Sequence, residues 1–592
     1  MNYLDVIKRL SQKRRPFFYI IVKINSIKIA FLLPMNSKKF SLLAVIVFVC
    51  NALIAQHTYI TFNPAMNHII DRFEIKNSKL NNEYFHTSTK SYRRQSIADY
   101  ANNLYKNDSN FSKQDLFNLE YLLTDNFEWA KTDLTLSKKP FLKEFYKQKA
   151  GLLSAQVTDF NLVVNPVMLY QVSTIDFNGN NVLLNNRGIE IRGNITDKIG
   201  FYTQVSDEIM RPLPVVLQEA QRTHVYQGIG FYKSDGKEVN YFLSSGYISV
   251  SANKYMDFQL GHGRQFIGDG ARSFIISNNA VDNFFVRLNT RIWKLNYTNI
   301  FSEYRDYNNS SYGVQSTHYS ATHHLSANIG KKLNIGIFET IIFQRDSGHV
   351  STGFEVNYLN PIIFYKSIEN GLNSTDKAVL GANIKYNFLN HFSAYGQLVL
   401  SEMVLDEILK NRGCWGNKWA YQLGLKYIDV FGINNLDAQV ELNVCRPFMY
   451  TSYSSLQTYT NYNQPMAHPL GANFYETIGV LRYQPAKRLN MQLKGIYYAI
   501  GYDTAGGNVG QNIGLSYRSN SIGIYGNEIT QGLLTKVLFI DYMASYMLKH
   551  NLFIDCGFTY RNCKSAVNEY NSENLFLNLG VRVNMARREY DR

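Results

Sequence analysis

Leu436-Asp437-Ala438-Gln439-Val440-Glu441-Leu442-Asn443-Val444 alternates an apolar with a polar residue at every step. Successive side chains of an extended chain point to opposite faces, so this stretch is a strand with one apolar and one polar face. The pattern recurs. Tyr421, Leu423, Leu425 and Tyr427 alternate with Gln422, Gly424 and Lys426, and Leu489, Met491, Leu493 and Tyr497 stand around Asn490, Gln492 and Lys494. Leu575, Leu577, Leu579, Val581 and Val583 flank Asn578, Gly580 and Arg582. Soluble sandwiches alternate in the same way. Three features favour a membrane barrel. The runs are about 9–12 residues long, as tilted spanning strands require. The polar face carries both signs of charge (Asp437, Glu441, Lys494, Arg582), which suits a watery lumen. The connections also alternate in length. Short turns are expected at Gly193–Lys198, Ala252–Tyr255, Gly330–Leu333, Asn387–His391, Asp429–Asn435, Gln484–Arg488 and Leu548–Asn551, and long polar or aromatic loops at 207–223, 262–283, 302–323, 344–376, 401–418 and 445–472. A closed barrel pairs every backbone N–H and C=O internally and can therefore sit in hydrocarbon. The expectation is an all-β membrane protein: a closed antiparallel transmembrane β-barrel of about 18 strands (range 16–20) over residues 155–592, in the outer membrane.

Composition agrees. Of 592 residues, 14% are aromatic, with 43 Tyr and 37 Phe but 4 Trp, and only 12 are Pro. Tyr and Phe favour strands and membrane interfaces, and scarce proline leaves ladders unbroken. A mean hydropathy of −0.24 argues against a bundle of membrane helices. The net charge of +15 is concentrated at the start: residues 1–55 hold nine Lys/Arg against Asp5 alone, leaving +7 for the rest. No basic stripe with interleaved aromatics points to nucleic acid.

Met35-Asn36-Ser37-Lys38-Lys39 reads as a start with a basic n-region, followed by the apolar run Phe40–Ala55. That run is too short to span a bilayer, and residues 35–55 are read as a signal peptide cut between Ala55 and Gln56. Residues 1–34 then read as an extension from a start codon called too far upstream. Residues 56–154 are polar with helical spacing in places and are expected to form a small, mostly helical periplasmic or plug segment. Ser112 is a candidate N-cap with Asp115 three residues on, followed by an apolar face at Leu116, Leu119, Leu122 and Leu123. Ile97–Leu104 suggests a second helix.

Candidate sites are few. Gly261–Ser273 is rich in glycine but lacks the Gly-Lys-Ser/Thr ending of a phosphate loop. Its glycines fit sharp bends or close backbone approach, and Arg264, Asp269 and Arg272 could form a charged constriction in the lumen. Tyr450, Tyr453, Tyr459 and Tyr462, set among Asn and Gln, suit glycan contact, because rings stack on sugar faces and amides bond hydroxyls; the alternative is an aromatic girdle and an ordinary loop. His318, His323 and His324 cluster in an expected loop with no completing Cys or carboxylate, so no metal is expected. Cys414, Cys445, Cys556 and Cys563 permit two disulfides in three pairings or stay unpaired. No hydrolase motif is present, and neither catalysis nor a cofactor is expected.

Several further stretches carry a resemblance: His68–Ile75, Phe85–Arg94, Asn118–Asn126, Arg264–Ser273 and Pro465–Phe474. On these the chain resembles outer-membrane barrels of Bacteroidota, of the gliding-motility RemB kind related to the capsule-assembly barrel Wzi. The resemblance implies an 18-stranded barrel with an N-terminal helical bundle. It also implies a non-enzymatic cell-surface role, in gliding motility or in capsular polysaccharide attachment and assembly. The implied partners are membrane lipid, surface polysaccharide, and gliding or secretion machinery. The competing expectation is a pore for passive or selective saccharide transport.

Overall fold

The computed structural model describes residues 58–589 apart from 81–83, 108–110, 176–179, 197, 213–215, 218–219, 221–224, 231, 235–237, 307–315, 345, 348–349, 352, 362–375, 411 and 505–506. Nearer the N-terminus it describes the backbone of two paired strands, Phe17–Ile24 and Ile27–Pro34. The expected signal peptide, including Cys50 and the cut at Ala55 and Gln56, lies outside the described residues.

Eighteen strands span and close. They are β1 (Phe160–Ile175), β2 (Asn180–Ile195), β3 (Ile199–Arg211), β4 (Val239–Ser251), β5 (Met256–Gly263) and β6 (Asn283–Ile292). Next come β7 (Leu295–Asp306), β8 (Ser316–Ile329), β9 (Leu333–Phe343), β10 (Lys377–Phe388), β11 (Phe392–Glu402) and β12 (Lys418–Tyr427). The last are β13 (Leu436–Cys445), β14 (Phe474–Ala486), β15 (Leu489–Tyr502), β16 (Leu533–Lys549), β17 (Leu552–Ser565) and β18 (Ser572–Val583). Each pairs antiparallel with the next, and β18 pairs back onto β1 with Leu577 opposite Thr174 and Val583 opposite Met168. Closure leaves no sheet edge unpaired.

Burial runs opposite to that of a soluble strand. Leu575, Leu577 and Leu579 of β18 are 54%, 60% and 61% exposed, whereas Asn578 between them is 6% exposed. In β13, Asp437, Gln439, Glu441 and Asn443 are buried while Val440 is 56% exposed. The apolar face therefore looks outward and meets lipid, and the polar face looks inward. At the short-turn end, the stacked rings Phe388, Phe392 and Tyr427 lead to Phe431, forming part of an aromatic girdle. No helix among the described residues is long and apolar enough to cross a membrane; the crossing is by strands, and the chain is an outer-membrane protein.

The eight turns that follow β2, β4, β6, β8, β10, β12, β14 and β16 lie at one end, the end that faces the periplasm in outer-membrane barrels. One of them, Trp293-Lys294 between β6 and β7, escaped the sequence reading: no Gly, Pro or Asn marks it, and Trp293 itself takes the positive φ of 56°. At the opposite end, the expected loop at 302–323 is shorter, because β7 runs to Asp306 and β8 begins at Ser316. His318, His323 and His324 therefore lie on a strand, not in a loop. A long connection at 503–532 was also not anticipated.

Three helices precede the barrel: α1 (Pro64–Lys76), α2 (Arg94–Asn107) and α3 (Lys113–Asp125). The Asn63 side chain accepts from the Ala65 and Met66 N–H groups to start α1, with Pro64 in its first turn, where a missing donor costs nothing. Ser112 and Asp115 form a reciprocal capping box on α3. Leu119, Leu122 and Leu123 are buried with Ile70, Phe73, Ile97 and Tyr100 in a common core, but Leu116 is turned outward. That face is narrower than its spacing suggested.

Candidate functional site

The lumen is the candidate site, and α1 supplies its densest chemistry. Arg72, 2% exposed, reaches three carboxylates: Nε lies 3.0 Å from Asp115, Nη2 2.5 Å from Asp429, and Nη1 bonds Asp437 on β13. Lys76 Nζ lies 2.6 Å from Asp115 and 3.2 Å from Asp429. His68 Nε2 adds a contact of 2.9 Å to Asp437. One position before Arg72, Asp71 lies 2.6 Å from Lys426 on β12. Glu74 pairs with Lys385 on β10, and Arg93 pairs with Asp257 on β5. The helical segment is thus riveted to the inner wall by ion pairs.

The same segment bonds the short turns. Ser112 Oγ donates to Asn435 (2.7 Å), Tyr121 OH donates to Asn551 (2.7 Å), Asn118 and Gln484 exchange amide bonds, and the Leu80 N–H donates to the Lys331 carbonyl (2.7 Å). α1 to α3 accordingly stopper the short-turn mouth. Burial alone would raise the Asp115 pKa, but Arg72 and Lys76 hold it down to about 2. Asp71 and Asp125 are held well below the carboxylate range against the same burial penalty, chiefly by Lys426 and Lys90 and by Arg94 and His550 respectively. Burial, reinforced by Arg291, pushes His86 down to about 3, so it is neutral where it meets Ser326 Oγ at 2.9 Å.

The other half of the lumen is filled by the loops after β5 and β13. Glycine decides the path of the first. Gly268 has φ +154°, and a Cβ there would stand 2.7 Å from the Gln397 amide; at Gly270 it would stand 2.4 Å from Glu441 Oε2. That close approach lets the Ala271 and Arg272 N–H groups donate to Glu441 (2.7 and 3.1 Å) and Phe274 N–H to Gln397 (2.8 Å). Ile267, Phe274, Ile275 and Ile276 then pack with Met449, Tyr450, Tyr459 and Met466 of the second loop in one apolar core inside the barrel. Loop and plug also meet directly, through the tilted ring contact of Phe62 with Phe266 and the Gly268 N–H donating to the Ser88 carbonyl.

The residues singled out in sequence separate on this frame. Arg264 Nε donates to Asp282 (2.8 Å), Asp269 is buried 3.6 Å from Lys385, and Arg272 bonds Glu476 (3.1 Å), so each sits against its own counter-charge. Tyr450 and Tyr459 are at most 1% exposed and donate their hydroxyls to the Phe274 and Ile275 carbonyls. They tie two loops together and offer no ring face to a sugar, which corrects the glycan-contact reading for this pair. Tyr462 is half-buried; Tyr453 is 45% exposed, with the Arg518 guanidinium 3.6 Å above its ring. The three histidines are buried; His318 Nε2 meets the Thr460 carbonyl and His324 Nε2 meets Asn383. Among the described residues no group of three or more His, Cys, Asp or Glu could hold a metal. Cys414, Cys445, Cys556 and Cys563 are free thiols.

Two cavities remain beside the plug, of about 480 and 230 Å³. Both are lined by Arg482, Gln492 and residues of the tail Asn584–Glu589, which turns back into the lumen after β18; Arg588 lines the larger one alone of the two. Arg587 bonds Asp541 at 2.6 Å, Arg588 pairs with Glu208, and Glu589 lies 2.8 Å from Lys494. Sequence reasoning put Lys494 and Lys426 on polar strand faces but missed their partners Glu589 and Asp71, the tail residues Arg587 and Arg588, and Arg72, Glu74 and Lys385. The available signal was inward-facing charge on strands paired with opposite charge on α1.

No protein-family model matches the chain, and no curated protein matches it. Among solved structures, it is similar to Escherichia coli Wzi, described as an outer-membrane protein involved in group 1 capsule assembly and a carbohydrate-binding β-barrel, with a TM-score of 0.53 at 10% identity over 89% of this chain and all of that one. It also matches Pseudomonas aeruginosa OprD (TM-score 0.38, 8% identity, 71% of this chain and 94% of that one) and Acinetobacter baumannii OccAB2 (0.40, 9%, 71% and 97%). At 10% identity the likeness to Wzi is one of fold, an outer-membrane β-barrel.

Proposed function

We propose that the protein is a non-enzymatic, non-conducting barrel that holds capsular polysaccharide at the cell surface. The filled lumen carries this reading: α1 to α3 stopper one mouth and two loops pack an apolar core behind the other. A saccharide pore, the competing expectation, needs a continuous aqueous path, and the charges expected to line one, Asp437 and Glu441, are buried in contacts with Arg72 and with the Gly-rich loop. The carbohydrate binding and capsule assembly described for Wzi point the same way. At the long-loop end, exposed Tyr453 stands beside Tyr517, which stacks on Trp415, and cations flank these rings. Aromatic faces beside cations suit an acidic glycan.

Planar-bilayer recording of the purified protein tests the reading. Closed traces are expected, and large steady conductance refutes it. A deletion strain should shed capsule into the medium. If it keeps its capsule but stops spreading on surfaces, the role belongs to gliding motility.

A further inference from the structure

Eight Lys and Arg side chains but four carboxylates line the larger cavity. Seven of the eight cations have a carboxylate within 4 Å. The exception is Arg482 on β14, whose side chain makes one hydrogen bond, from Nη1 to Gln439 at 3.2 Å, and meets no carboxylate within ion-pair reach among the described residues. A second observation points into the same space. Gln259 on β5 is 4% exposed and lines the cavity, yet its Oε1 has no hydrogen-bond partner. A guanidinium with no carboxylate in ion-pair contact and a buried amide oxygen without a donor are both groups that a ligand can satisfy.

The tail supplies a third. Glu589 places its carboxylate against Lys494 (2.8 Å) and the Gln492 amide (3.2 Å), both on β15, the strand that pairs with β14. Arg587 lies 3.9 Å from the same carboxylate. The chain's own carboxylate thus occupies a cationic, amide-rich subsite at the edge of a cavity whose size falls in the range of small-ligand pockets. Further amides, Gln204 and Gln439, and the stacked rings Tyr202 and Tyr247 complete a lining suited to a polyhydroxylated ligand with one negative charge.

We propose that this cavity is a binding site for an acidic sugar of the hexuronate class, with Arg482 and Lys494 on adjacent strands as carboxylate anchors and Glu589 as an intramolecular competitor. The site is internal and independent of any polysaccharide held on the outer loops.

Titration calorimetry of the full chain in detergent at low ionic strength, with sodium glucuronate and with glucose as probes, tests it. Glucuronate should bind at least tenfold more tightly than glucose, and Arg482→Gln should weaken glucuronate at least tenfold. Glu589→Gln, which removes the competitor from a peripheral tail, should tighten glucuronate several-fold. Absence of glucuronate binding, equal binding of glucose, or an unchanged or weakened Glu589→Gln variant would each overturn the proposal. The Glu589→Gln result decides the matter even if Arg482→Gln fails to fold.

Discussion

Replacing Arg72 with Ala isolates what holds the plug. Its guanidinium is the shared partner of Asp115 on α3, Asp429 on a short turn and Asp437 on the wall. The substitution leaves those carboxylates buried with only Lys76 and His68 to answer them. Removing one partner of a buried ion pair costs about 3–5 kcal/mol, because the remaining charge stays desolvated. At about 1.4 kcal/mol per tenfold, the undocked plug should become roughly a hundred- to several-thousand-fold more populated. The barrel's own ladder does not involve Arg72. Native-state hydrogen exchange should therefore show α1 and α3 amides losing two to three decades of protection while β13 to β16 keep theirs. Adding Asp437→Asn to Arg72→Ala should recover part of the loss, since one stranded charge is then removed. Unchanged exchange in α1 and α3, or equal loss in plug and barrel, would refute the claim that these ion pairs fasten a separately dockable plug.

Acid should loosen the same joint. The Asp115 pKa is lowered to about 2, so its stabilisation is complete above its ordinary value near 3.8 and is lost as pH falls through about 2; the stake is about 2 kcal/mol. Protease accessibility of residues 58–125 should rise between pH 4 and pH 2 while the barrel keeps its β-sheet circular dichroism. Gly270→Val would drive a side chain into Glu441 and Gln422, so the Gly-rich loop should leave its seat and bilayer recordings should show flickering conductance absent from the wild type. Leu577→Arg puts a charge on the lipid face at a position 60% exposed, and should cost about 2–4 kcal/mol in chemical unfolding from lipid vesicles. An effect below 0.5 kcal/mol would argue that Leu577 faces something other than hydrocarbon.

What the sequence could and could not disclose follows from the distance over which each signal acts. Alternation is local: Leu436 to Val444 displays both faces of β13 within nine residues, so strands and barrel closure can be read without knowing any partner. The Ser112–Asp115 capping box is equally local. Periodicity does not say which face is wet, however. In β13 the same pattern fits a soluble sandwich with Val440 inside, and only strand length, mixed charge on the polar face and loop asymmetry turned it outward. Local cues also misled where a residue acts against type, as when Trp293 makes a tight turn or when β8 carries three histidines through what reads as a loop. The lumen was the least readable part because its contacts join distant positions: Arg72 meets Asp437 across 365 residues and Lys385 meets Glu74 across 311. Tyr450 and Tyr459 illustrate the consequence. A tyrosine among amides has the same composition whether its ring lies open to a sugar or is locked against the Phe274 and Ile275 carbonyls; the Gly-rich loop, 176 and 184 residues earlier, decides between them. In a barrel whose interior is packed by its own chain, wall residues therefore report architecture. Function has to be sought where packing leaves a polar group unanswered, as at Arg482 and Gln259.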